Sequence, residues 1–451
     1  ISIRFYAVWR WILVRMQSQP TASNGYSWFK TRSVDVKRRN KRLKDGTMIK
    51  VGSDFSGVGA FNQALMRLGI EYDEVFACDM DKYARETFIH NYGEPKYYPK
   101  DVYEREIPTE SLDIYMTSPP CQAFSLAGKR LGKDDQRGIL FFNSHQFIKT
   151  NKPRYFIFEN VKGLLSDDNG NTFQEWLNML GGKSVNGLPV LFPYEDSVSY
   201  HIYYKVMNAK KHGVPQNRER VFIIGIRDDQ DNTFRWAKEE HLTKRLKDVL
   251  ENEVDKKYFL SEKMTNFVLS TNFKEAQPIN IEERMVAPRV KVGGDVSCFD
   301  TNKLKIKSAT KKGYEEAMEG DSINFSVPNS ETRRGRVGKG VAQTLDTQCN
   351  QGVFMIGYTR DNTGKIIKRH KLNHSNTIHS STGGGGNTDQ FASINKKIRR
   401  LTPRECFRLM DFPDTFTWTC SDSQAYKQAG NSIVVRCLEL IIKEFNLNAT
   451  M

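Results

Sequence analysis

At 451 residues the chain exceeds one small domain and suits two domains, or one large domain with a sizeable insertion. An aromatic content of 11% argues against a disordered chain, and a formal charge of +15, from 68 basic against 53 acidic residues, favours a polyanionic partner such as nucleic acid. The cysteines, at 78, 121, 298, 349, 406, 420 and 437, are widely spaced without a C-x-x-C pair; this argues against a disulfide framework or metal site and fits reduced thiols in the cytoplasm, and no apolar run is long enough to span a membrane.

Residues 1–47 differ in composition from the rest of the chain. Lys and Arg crowd residues 30–44, which read either as a solvated tail or as a basic arm, and Met48 is a candidate natural start. From 48 to about 237 short apolar runs alternate with amphipathic stretches. Strands are expected at 49–55, 75–78, 112–117, 155–158 and 221–226, with helices at 61–68 and 83–91. That alternation predicts an α/β domain whose sheet is mostly parallel. From 238 to 424 the text turns polar, basic and rich in Gly, Ser, Thr and Asn, too long for one loop, and predicts a smaller, irregular or β-rich second domain. Helical text returns at 403–410 and 433–445, and residues 425–451 are expected to pack back onto the first domain.

Four motifs carry chemistry. Phe55-Ser56-Gly57-Val-Gly59 follows the first strand, where glycines let backbone approach a ligand at a helix N-terminus. Asn62 stands where a dinucleotide fingerprint needs its third glycine, which favours a nucleoside without a pyrophosphate. Asp79 follows the second strand at the spacing of a ribose-binding carboxylate, and Asp101 is placed to bind an adenine amino group. Ser118-Pro119-Pro120-Cys121-Gln122 follows a later strand; two prolines stiffen the turn that presents Cys121, whose polar neighbours set it apart from a core cysteine. Glu159, in Phe158-Glu159-Asn160-Val161, is a carboxyl bordered by an apolar strand and a candidate acid of raised pKa. Arg218 and Arg220, in Gln216-Asn-Arg218-Glu-Arg220, project to one side of an extended chain as carbonyl- or phosphate-binding forks, or else form surface ion pairs.

These motifs, followed by Arg400-Leu-Thr-Pro403-Arg404-Glu405 and Gly430-Asn431-Ser432, form one ordered set from Met48 to the C-terminus. The set resembles the C5-cytosine DNA methyltransferase family of bacteria and phages. The resemblance implies a Rossmann-like S-adenosylmethionine-dependent domain and a target-recognition domain. It makes Cys121 the nucleophile, Glu159 the acid at ring nitrogen 3, and Arg218 and Arg220 catalytic partners, Arg220 on the base carbonyl. S-adenosyl-L-methionine, leaving as S-adenosyl-L-homocysteine, is expected against Phe55, Ser56, Gly57, Gly59, Asp79, Met80, Asp101, Val102, Pro120, Asn431, Ser432 and Ile433, with no metal. Duplex DNA is expected at Gln122, Ser125, Arg218, Thr344 and Leu345, with Thr377-Ile378 a second candidate for the family's Thr-Leu pair; residues 123–138 resemble its mobile loop. Ala60 and Asp79 depart from the family's usual Gly and Glu. The resemblance further implies a monomer, linked in function rather than contact to a restriction endonuclease. The rival readings are a tRNA cytosine methyltransferase, a non-catalytic DNA binder and a nicotinamide oxidoreductase. The long variable segment, the intact motifs and the missing glycine argue against them in turn.

Overall fold

The computed structural model describes residues 48–120, 139–269, 303–356, 358–360, 366–369 and 396–447. Cys121, Gln122, Ser125, the Thr377-Ile378 pair, residues 1–47 and the whole of the expected mobile loop lie outside them.

An eight-stranded sheet organises the chain. Its strands are β1 (Ile49–Asp54), β2 (Tyr72–Cys78), β3 (Ile114–Thr117), β4 (Tyr155–Val161), β5 (Ser184–Val185), β6 (Leu188–Pro189), β7 (Tyr200–Asn208) and, beyond the two-residue β8 (Gln216–Asn217), β9 (Glu219–Arg227). They lie in the order β2-β1-β3-β4-β9-β7-β5-β6. The first four are parallel; β9 then runs antiparallel to both β4 and β7. From β1 the chain moves outward to β2 and then crosses to β3 on the other side, so the strand order reverses beside β1. In an open α/β sheet a ligand cleft forms at the carboxyl ends of the strands at such a point.

Side chains alternate across this sheet as a period of two requires. Ile114, Met116, Tyr155, Ile157, Phe222 and Ile224 enter one core, shared with helices α1 (Ala60–Leu68) and, near the C-terminus, α8 (Val435–Ile442). Tyr115, Phe156, Phe158, Val221 and Ile223 enter the opposite core, which also holds residues of α3 (Ile139–Asn151) and α4 (Asn171–Leu180). Gly225 lets β9 sit under the Phe156 ring: a β-carbon there would lie 1.9 Å from a ring carbon.

A third core gathers Leu304, Ile306, Ala317, Ile323, Phe325, Phe354 and Ile398 with Val268 and Leu269. Its frame is the hairpin β10 (Lys303–Lys307) with β11 (Tyr314–Met318), and a four-stranded sheet containing β12 (Ser322–Asn324), β15 (Gln351–Ile356) and β18 (Lys396–Arg400). Helix α6 (Pro403–Leu409) falls within the segment expected from sequence to belong to the second domain. Its Phe407 and Leu409 nevertheless share the first core with Ile49 and Val51. Among the described residues, no helix is long and apolar enough to cross a membrane.

Candidate active site

The glycine turn follows β1 directly. Phe55 has φ +58° and Gly57 φ +53°, the left-handed region that strains a residue with a side chain. The conformation is held from three directions. The Ser56 N–H donates to the Cys78 carbonyl (2.9 Å), the Gly57 N–H donates to Asp79 Oδ2 (2.8 Å), and the Ser118 hydroxyl reaches the Phe55 carbonyl (3.5 Å). The carboxyl ends of β1, β2 and β3 are thereby tied together.

Asp79 also accepts from the Asp81 N–H at 2.8 Å, and burial raises its pKa in spite of these donors. Gly59, φ +83°, begins α1; a β-carbon there would lie 2.3 Å from the Tyr92 ring. Asn62, the residue that breaks the dinucleotide fingerprint, is buried and donates to the Tyr72 hydroxyl and the Glu74 carboxylate. It braces α1 against β2, where a glycine would allow closer packing. Burial pushes the Glu74 carboxyl up to about 8.

This surface suits a nucleoside-bearing cofactor. A β-carbon at Gly57 would meet nothing within 4 Å, and Met80 is 80% exposed beside Asp79. Asn431 is exposed, whereas Ser432 and Val102 are buried. Asp101 accepts from the Tyr103 N–H (3.0 Å).

Glu159 and Arg220 come together through strand register. In the antiparallel β4–β9 pair Glu159 faces Phe222 and Val161 faces Arg220, so Arg220 is the diagonal same-face neighbour of Glu159. Arg220 Nε lies 3.1 Å from Glu159 Oε1. Glu159 is 7% exposed; desolvation raises its pKa and outweighs the opposing pull of Arg220 and Arg218. The neighbouring Asn160 donates to the Pro119 carbonyl (3.2 Å), tying the acid's strand to the turn that leads into position 121.

Arg218, expected beside Arg220 at the base and the DNA, is 3% exposed. Its Nη2 donates to the carbonyls of Gly430 (2.9 Å) and Ser432 (2.8 Å), and its Nη1 to that of Leu345 (3.3 Å). Burial and Arg220 push its pKa down to about 9. Leu345, expected at the DNA, is likewise buried, in the first core; its neighbour Thr344 is exposed and donates through Oγ1 to the Asn217 carbonyl (2.8 Å).

Two features are not visible in the sequence. The Asp54 carboxylate, fully buried at the end of β1, receives Arg105 Nε (3.0 Å), Arg105 Nη2 (2.9 Å) and the Tyr115 hydroxyl (2.6 Å). Asp54 precedes Phe55 in the motif, but nothing local marks Arg105 as its partner. The second is the role of Gln216, whose side chain bonds the Leu409 carbonyl (2.8 Å) and the Leu345 N–H (3.3 Å).

A sheet with four parallel strands, a glycine turn and a carboxylate at its switch point is compatible with a nucleoside-cofactor enzyme. Comparison with known proteins narrows it. The family model for C-5 cytosine-specific DNA methylase matches residues 49–446, and the chain belongs to that family: it is a DNA cytosine methyltransferase. It is 32% identical to the orphan methyltransferase M.SPRI of Bacillus phage SPR, covering 88% of this chain and 97% of that protein. It is 29% identical to the type II methyltransferase M.HhaI of Haemophilus parahaemolyticus, covering 88% and 93%. Among solved structures, the DNMT2 protein of Spodoptera frugiperda aligns over 88% of this chain and 98% of its own, with a TM-score of 0.52 at 18% identity, a likeness of fold.

Proposed function

We propose that the chain moves a methyl group from S-adenosyl-L-methionine to carbon 5 of a cytosine flipped out of a specific duplex site, through a covalent adduct of Cys121 at carbon 6. The observation that carries this reading is the pairing of buried Glu159 with half-buried Arg220, tethered through Asn160 to the turn that enters Cys121.

Cytosine carbon 5 is a weak nucleophile. Addition of the Cys121 thiolate to carbon 6 breaks the 5,6 double bond and makes carbon 5 enamine-like. Glu159, whose pKa burial raises, donates in its protonated form to ring nitrogen 3 and stabilises the electrons pushed there. Arg220 holds the base through its carbonyl. The bound cofactor supplies an electrophilic methyl group on a sulfonium centre. After transfer, the carbon 5 proton leaves to a base and the returning electrons expel Cys121 as thiolate. Phe55, Ser56, Gly57, Gly59, Asp79, Met80, Asp101, Val102, Pro120, Asn431, Ser432 and Ile433 would hold the cofactor.

The target carbon is inaccessible inside a duplex, so the base must leave the stack, with residues 123–138 closing over it. The small sheets around the third core would read the site, and their Lys and Arg residues would mainly position phosphates. Gln122, Ser125 and Thr344 are proposed DNA contacts, while Leu345 and Arg218 act from behind them. A cytoplasmic monomer, with any restriction endonuclease acting separately, completes the proposal.

Duplex DNA carrying 5-fluorocytosine tests the adduct. Fluorine cannot leave carbon 5 as a proton does, so the methylated adduct should persist as a denaturant-resistant complex. With S-adenosylmethionine present, the wild type should form it and Cys121→Ser should not. Equal amounts with both proteins would remove Cys121 as nucleophile.

A further inference from the structure

Arg218 joins three segments that are far apart in sequence. Its own segment carries Arg220. A second, 342–346, includes Thr344 and Leu345. The third, 430–432, is the turn proposed to meet the cofactor. One buried guanidinium donates to carbonyls of the second and third.

The surrounding contacts link the three segments further. Ala342–Gln343 pairs in parallel with Gln216–Asn217. Thr344 Oγ1 donates to the Asn217 carbonyl, and Gln216 accepts from the Leu345 N–H. Gly430 lies so close to the second segment that a β-carbon on it would fall 2.6 Å from the Asp346 carbonyl oxygen. A movement of the 430–432 turn must therefore displace residues 345–346, or break bonds to a buried cation, at the cost of leaving that charge without its acceptors.

We propose that Arg218 is a positioning residue that couples the two substrates: occupancy of the cofactor site tightens duplex binding by fixing the 342–346 segment, and DNA tightens cofactor binding by the same factor. This rests on the function proposed above. Reciprocity follows because a coupling free energy belongs to the pair of sites, and such couplings commonly span about 5–150-fold.

The test measures duplex affinity by fluorescence anisotropy with full-length protein, with and without saturating S-adenosylhomocysteine. The probe is an oligonucleotide carrying the site found by sequencing methylated product. In the wild type the product cofactor should tighten DNA binding about fivefold or more. Arg218→Lys keeps a cation but cannot span three carbonyls, and should reduce this ratio below about twofold. Thr344→Val removes the bond to Asn217 together with the proposed DNA contact of its hydroxyl; the lost contact weakens DNA binding equally with and without cofactor, so the ratio falls only if the segment is uncoupled, and this decides the matter if Arg218→Lys fails to fold. A purely structural role would alter stability or both affinities while leaving the ratio intact. An undiminished ratio in folded variants, or no cofactor effect in the wild type, would overturn the proposal. Absence of DNA methylation by the wild type would instead remove the reading on which it rests.

Discussion

Glu159 sits where desolvation and two guanidiniums oppose each other, and desolvation prevails. Only the protonated carboxyl can donate to ring nitrogen 3, so kcat should fall as pH rises through its raised pKa. Glu159→Gln should lower kcat by about 10²–10⁴-fold and remove that limb, with little change in cofactor KM; single-turnover methylation across pH reads both. Glu74 gives a separate effect on stability. Its folded pKa of about 8 lies above the ordinary value of 4.5 that holds in the unfolded chain, so the folded state keeps a proton that the unfolded state releases between those values. Stability must then decline as pH rises through that window. Glu74→Gln should flatten the decline and raise stability at pH 8 by about 1–2 kcal/mol, measured by urea unfolding at pH 5 and pH 8.

At the scale of elements, the glycine turn and α1 form one strained unit. Gly59→Ala would place a methyl group against the Tyr92 ring at φ +83°. It should cost about 1–3 kcal/mol in urea unfolding and raise cofactor KM, because α1 begins at the turn. The strands leading into motifs were legible because apolar runs there end abruptly in Gly, Pro or charge. Strand β7 was not, because four of its nine residues in succession, Tyr203 to Val206, are only half-buried and blur the alternation. Helix α3 hid for the opposite reason: Ile139-Leu-Phe-Phe and Phe147-Ile148 spread apolar residues around it, so no single face declares itself. At the candidate site, residue types and order pointed to Glu159 and Arg220, but their diagonal pairing needs the β4–β9 register. That Arg218 turns inward also depends on tertiary contacts, since its carbonyl partners lie at 345, 430 and 432.

On the scale of the whole molecule, two cores sandwich the large sheet and a third supports the smaller ones. Between the first and third lies a fully buried ion pair: Arg399 Nη1 and Nη2 bond Glu405 Oε2 (2.7 Å) and Oε1 (2.6 Å), and Glu405 also caps the Thr402 N–H (2.9 Å). Arg399 belongs to β18 and Glu405 to α6, so the pair pins the small sheet to the helix that enters the first core. Removing one partner leaves an uncompensated buried charge; Arg399→Met should cost about 3–5 kcal/mol, and adding Glu405→Leu should recover part of it, as read by urea unfolding. The +15 charge and the separately cored small sheets suit a protein that grips a polyanion while its large domain performs chemistry. The most direct test is transfer of labelled methyl from S-adenosylmethionine to duplex DNA and, separately, to tRNA, by wild type and Cys121→Ser. Wild type should place 5-methylcytosine in DNA and the variant should place none. Label entering tRNA alone, or DNA methylation undiminished in Cys121→Ser, would contradict the proposed chemistry.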